Sequence, residues 1–142
     1  IQRLYLHQSL KPIVAIPNAH LKTSDARAAL PPDVSRAAAA RSLARLTFLI
    51  EGLRSANTEV LTHAAGDELH EEPRAHLSPI TGQLMEAARK AGAVHVCWSG
   101  AGPTALALAT SETAGRVIGA MSDVLGIGGE VLTLSVDHEG LK

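Results

Sequence analysis

Aromatic side chains are nearly missing from this sequence: one Trp, one Tyr and one Phe make up 2% of 142 residues. Stacking of nucleic-acid bases on a ring platform is therefore unexpected, and the core must come from Ala, Leu, Val and Ile. There is a single cysteine, Cys97, which excludes an internal disulfide and a thiolate metal cluster. It lies in an apolar run, where a buried, inert thiol is expected. Neither charge sign dominates: 13 Lys and Arg face 14 Asp and Glu, a formal net charge of -1. Nothing in this balance draws the chain toward nucleic acid or an anionic membrane. No run approaches the roughly 20 apolar residues of a membrane-spanning helix. No secretory signal is visible, so the cytoplasm is the expected compartment.

What is present is a 46% hydrophobic chain of ordinary single-domain length. It begins at Ile1, and I-Q-R-L-Y-L-H (1–7) reads as an edge strand entered in mid-fold. Part of a longer protein is therefore expected. K-P-I-V-A-I (11–16) predicts a strand closed by Pro17 and Asn18. A short helix follows, capped by Thr23 or Ser24 and ended by Pro31 and Pro32. Apolar residues from Val34 to Leu53 recur at helical spacing over 33–55, and 57–65 predicts another helix. The segment 67–76 is dense in ionisable groups, and Pro73 is expected to interrupt any helix there. Helix 80–91, strand 93–98, strand 104–109, a helix capped by Ser111 and strand 130–137 complete the pattern. The predicted class is α+β: a ferredoxin-like sandwich, with about four antiparallel strands covered by helices on one side.

Two buried strands flank W-S-G-A-G-P-T (98–104). The loop is either a hairpin turn or a nest of backbone N–H groups for an anion. It lacks the Gly-Lys-Ser/Thr ending of a phosphate-binding Walker loop, and a strand rather than a helix follows it. His7, His20, His63, His95 and His138 are scattered, and H-x5-H from His70 to His76 crosses Pro73. No metal site is expected. Arg27, one turn after Thr23, and Arg74 are candidates for a bidentate grip on a carboxylate or phosphate. Arg36, Arg41, Arg45 and Arg54 read as a solvated helix face.

Four stretches match one family in order: V-A-I-P-N (14–18), K-T-S-D-A-R-A-A-L-P (22–31), D-E-L-H-E-E-P-R (67–74) and W-S-G-A-G-P-T-A-L-A-L (98–108). On these the chain resembles the C-terminal part of the bacterial homoserine kinases, in the GHMP kinase superfamily. The last stretch resembles the superfamily's third Gly-rich motif. The K-T-x-x-A-R-x-x-L-P and H-x-x-P-R stretches point to the homoserine branch.

The resemblance implies transfer of the γ-phosphoryl of ATP, with Mg2+, to the hydroxyl of L-homoserine in threonine biosynthesis. It puts Thr23 near the substrate and Arg27 and Arg74 on its carboxylate. Ser99, Gly100, Ala101, Gly102, Pro103 and Thr104 would support the phosphate loop from beside it. That loop, a Pro-x-x-x-Gly-Leu-Gly-Ser-Ser type, is absent from this sequence. The catalytic and ATP-binding groups are thus expected in an N-terminal half that pairs with this chain. On this reading 1–142 form the C-terminal domain, with 1–18 leading in from that half, and the chain alone is inactive. An exposed sheet edge or the contact surface for that half could drive homodimerisation. The rival readings are another small-molecule GHMP kinase, of mevalonate or sugar type, and a standalone amino-acid-binding regulatory domain.

Overall fold

The computed structural model describes residues 4–137 and 139. In chain order it contains β1 (Lys11–Pro17), α1 (Thr23–Ala28), α2 (Arg36–Ser55), α3 (Thr58–His63) and α4 (Glu71–Arg74). A 3-10 turn, Ala75–Leu77, leads to α5 (Pro79–Lys90), β2 (His95–Trp98), β3 (Ala105–Ala109), α6 (Ala114–Leu125) and β4 (Gly129–Thr133). The four strands form one sheet in the order β2-β3-β1-β4. Every pairing is antiparallel, with Ile13 opposite Ala107 on one side and Thr133 on the other.

Period-two alternation sorts these strands. Ile13, Ala15, Val96, Ala105, Ala107 and Ala109 share one face and are buried against Leu84 and Ala88 of α5 and Val117 and Met121 of α6. The run of small residues on β3 lets the helices approach closely, so a dense core forms with almost no rings. Each large aliphatic side chain buried here stabilises the fold by about 1.5–3 kcal/mol.

The other face is not bare, contrary to the one-sided covering expected from the pattern. β3 reads A-L-A-L-A, and Leu108 points away from Ala107 and Ala109 into a second cluster with Leu10, Leu61 and Val94. Leu49 and Leu53 of α2 pack against that cluster. Gly52 makes this approach possible, because a Cβ there would lie 2.6 Å from Leu61 Cγ. Both faces of β3 are therefore occupied, which its continuous apolar run allows.

Local chemistry explains the boundaries. Ser35 caps α2 by accepting from Ala38 N at 3.1 Å, and Asn57 caps α3 by accepting from Val60 N. Other expected caps are not made. Lys22 precedes α1 without a side-chain cap, Thr23 is its first helical residue, and Ser24 bonds Asp25 instead. Thr113, not Ser111, stands before α6, with its Oγ1 accepting from Thr110 N. Pro73 lies inside α4 rather than breaking it, because a proline in the first turn withholds an N–H that needs no helical partner. The expected inward stripe is largely exposed, at Val34 just before α2 and at Leu43, Leu46 and Ile50 on it. The last strand ends at Thr133, with Leu134 N still donating to Pro12 O. No strand forms over 4–7, and the remainder of that expected edge strand and His138 lie outside the described residues. Among the described residues no helix is long and apolar enough to cross a membrane.

Candidate functional site

The acidic segment builds its own scaffold. Asp67 Oδ1 accepts from the N–H groups of Leu69 and His70 at 2.8 and 3.1 Å, and Oδ2 meets His70 Nδ1 at 2.9 Å. This local turn competes with helix and delays α4 to Glu71. From α4 two side chains reach in different directions. Glu71 Oε1 accepts from Trp98 N at 2.7 Å, at the end of β2. Arg74 Nε donates to Ala26 O at 3.0 Å, in α1.

The second of these bonds brings two of the sequence-derived site stretches together across 48 residues. Arg27 directly follows the carbonyl that Arg74 holds. Its side chain is exposed, and among the described residues it makes no hydrogen bond or ion pair. The terminal nitrogens of Arg74 likewise carry no bond, since its Nε alone meets Ala26. Thr23, on the first turn of α1, is exposed as well. Arg74 is thus fastened to the backbone of α1 with terminal donors to spare, and Arg27 is exposed on that same short helix; a guanidinium with free donors suits a carboxylate or phosphate.

Residues 99–104 turn the chain between β2 and β3. Ser99 N donates to Thr104 O at 2.8 Å and Gly102 N to Ser99 O at 3.2 Å. Gly100 and Gly102 have φ of 64° and 83°, a region that favours glycine. Gly102 is also demanded by packing: a Cβ would come within 2.5 Å of the Trp98 ring. The loop rests on the start of α5, where the fully buried Thr81 donates its hydroxyl to Pro103 O at 2.7 Å. Ser78 Oγ lies 2.9 Å from Thr81 Oγ1 and completes that small network.

The electrostatics follow from these contacts. Arg41 and Arg45, both read as solvated from sequence, clasp Glu68 at 2.5 and 2.7 Å. Hydrogen bonds from the two guanidinium groups pull the Glu68 carboxyl down to about 2. Burial pushes the Glu71 carboxyl up, against the opposing pull of the Trp98 N–H. Burial, with the Glu71 charge nearby, also raises the half-buried Cys97 thiol to about 11, so it stays protonated and inert. A cleft of about 520 Å3 opens beside these groups, with Arg45, Asp67, Arg74, His95 and Gly100 among its walls. Sequence reading missed Glu68, Glu71 and Thr81. The charge density of D-E-L-H-E-E-P-R was visible, but not which of its carboxylates reach other elements. Among the described residues no group of three or more His, Cys, Asp or Glu side chains is placed to hold a metal.

Comparison with known proteins adds a separate line of observation. The sequence profile of the family described as GHMP kinases C terminal matches residues 49–126. A homoserine kinase of Nostoc punctiforme is 43% identical over 139 residues, covering 96% of this chain and 46% of that protein. A homoserine kinase of Desulfitobacterium hafniense is 39% identical, covering 90% and 44%. The chain thus spans less than half the length of the curated relatives it matches. Among solved structures, a homoserine kinase from Cytophaga hutchinsonii superposes with a TM-score of 0.88 at 27% identity, over 95% of this chain and 44% of that one. A Streptococcus pneumoniae phosphomevalonate kinase superposes with a TM-score of 0.71 at 16% identity, over 94% and 42%, a likeness of fold alone.

Proposed function

We propose, from the premise that this chain belongs to the GHMP kinases through their C-terminal domain, that residues 1–142 form the substrate-side half of a cytoplasmic homoserine kinase. The reaction is transfer of the γ-phosphoryl of ATP to the hydroxyl of L-homoserine, giving O-phospho-L-homoserine for threonine biosynthesis. ATP and Mg2+ are bound mainly by a second half carrying the phosphate loop, and they supply the phosphoryl group and neutralise its charge. This chain contributes the grip on the amino acid.

The Arg74–Ala26 hydrogen bond carries the reading. It fixes the Arg74 guanidinium beside α1, with its terminal nitrogens free and Arg27 adjacent. A small zwitterion presents a carboxylate whose two oxygens match such a fork. Each charged hydrogen bond in a partly dry cleft contributes about 1.5–3 kcal/mol. Thr23 lies one turn before Arg27 on the same side of α1 and faces the bound amino acid. Fixing the carboxylate orients the hydroxyl at the far end of the side chain, which is the main task of a phosphoryl-transfer enzyme. The loop 99–104, braced by Thr81 and Trp98, supports the phosphate loop of the other half. The names carried by the relatives at 39–43% identity agree with this substrate.

The test is a substrate comparison with the kinase that contains this chain. Phosphorylation of L-homoserine well ahead of mevalonate supports the assignment. Activity on mevalonate with none on homoserine contradicts it.

A further inference from the structure

One half-buried carboxyl takes no part in the grip on the amino acid. Glu71 opens α4, and its Oε1 accepts from Trp98 N at 2.7 Å. Burial pushes this carboxyl up, so keeping it ionised works against the fold. The group it holds is a particular one. β2 is an edge strand. Ser99 N donates across the hairpin to Thr104 O, and successive N–H groups of a strand point opposite ways. The Trp98 N–H therefore points off the sheet edge, where the ladder offers it no acceptor. Trp98 is also the last residue of β2 before the Gly-rich turn, and its ring fills the space that a Cβ on Gly102 would need. Glu71 thus holds the hairpin at its base.

Arg74 follows on the next turn of the same helix, with its Nε on Ala26 O at 3.0 Å. α4 has four residues, none of them buried, so core packing does not fix its position. The Asp67 turn and the clasp of Glu68 by Arg41 and Arg45 lead into the helix, and these bonds end on the turn itself and on α2. The tie from α4 to the hairpin is Glu71, and the tie to α1 is Arg74. One helical turn joins the two.

We propose that Glu71 is a positioning residue: through α4 it links the Arg74 guanidinium to the hairpin 98–104, so that the grip on a carboxylate and the support of the phosphate loop keep one register. Glu71 itself touches neither reactant. The proposal rests on the assignment of Arg74 to the amino acid's carboxylate, and it adds how that group is kept in place relative to the phosphoryl donor. Such placement matters, because a misplacement of about 1 Å costs roughly a hundredfold in rate. A residue that merely covered an edge N–H would affect stability alone.

The first measurement needs no substrate. It uses the kinase containing this chain with isotope-labelled tryptophan, and Trp98→Phe assigns the Trp98 amide in NMR. Arg74→Ala should shift that amide in the native background and leave it in place in Glu71→Ala, the pattern of two coupled residues. No shift in either background, or an equal shift in both, would overturn the link. If Glu71→Ala does not fold, Glu71→Gln decides: it keeps the acceptor, so the shift must persist, and its loss would overturn the link.

The second measurement separates positioning from stability. Glu71→Ala should raise the KM for homoserine and lower kcat, each by roughly fivefold or more, and Glu71→Gln should keep both within about twofold of native. Asn57→Ala, which removes the cap of α3, is the destabilised control and should leave both constants native. Unchanged constants in Glu71→Ala, an equal defect in Glu71→Gln, or the same defect in Asn57→Ala would contradict the proposal. A kinase inactive on homoserine would end the substrate assignment, whereas the tryptophan measurement decides the link on its own.

Discussion

The Glu71 carboxylate accepts the backbone N–H of Trp98 at 2.7 Å, and so fastens α4 to the strand that opens the Gly-rich hairpin. The same four-residue helix carries Arg74, which fastens to α1. A helix this short has little stability of its own. Its position is set by these two side chains and the Asp67 turn.

Removing the first fastening should therefore be costly. Glu71→Ala leaves the Trp98 N–H without its partner, and a loss of about 1–3 kcal/mol is expected. Glu71→Gln keeps an acceptor and has no charge to desolvate, so at neutral pH its loss should be less than half as large. A folded-state pKa raised above the ordinary value means that ionising Glu71 opposes folding as pH rises through it. The Gln variant escapes that opposition. Urea denaturation of both variants near pH 7 checks the order.

Glu68 behaves in the opposite way. Its folded carboxyl titrates at about 2, against an ordinary 4.5. The stability it confers is complete above about 4.5 and is lost as pH falls from there toward 2. The gap in melting temperature between the native chain and Glu68→Gln should accordingly narrow across that interval. A constant gap from pH 6 to pH 3 would mean that Arg41 and Arg45 do not hold the charge.

The two hairpin glycines should respond differently to alanine. At Gly100 nothing lies within 4 Å of a new Cβ, so only the φ of 64° opposes it. A loss of about 1–2 kcal/mol is expected. At Gly102 the same kind of backbone strain combines with a Cβ 2.5 Å from the Trp98 ring. Gly102→Ala should cost more than Gly100→Ala, with an altered Trp98 fluorescence that the Gly100 variant lacks. Thermal melts with fluorescence detection separate the two.

Arg27 carries the sharper test of geometry at the proposed amino-acid grip. Arg27→Lys keeps the charge but loses the planar fork. The KM for homoserine should rise roughly tenfold, corresponding to about 1.4 kcal/mol. A KM within twofold of the native value would remove Arg27 from the carboxylate.

Much of the fold was legible because its signals are local. The apolar runs around residues 13, 96, 107 and 131 could only be strands, and glycines or prolines mark most of their ends. The sandwich class follows from their order. The second cluster behind β3 was hidden, because A-L-A-L-A is apolar at every position and does not declare a solvent face. The helical periodicity of α2 gave its length but not its orientation. Leu43 and Leu46 satisfy the same spacing as Leu49 and Leu53, yet only the latter pair reaches the core. At the site, motif spacing singled out Arg27 and Arg74. Glu68, Glu71 and Thr81 act across 22 to 27 residues of sequence, through bonds that no spacing rule encodes.

The central claim is that Arg74 holds the substrate's carboxylate, and steady-state kinetics of Arg74→Ala in the kinase containing this chain test it most directly. The account predicts a KM for L-homoserine raised by at least about tenfold, the lower range for a lost charged hydrogen bond, with the KM for ATP within about twofold of native. An unchanged homoserine KM, or an equal rise in both constants, would contradict it.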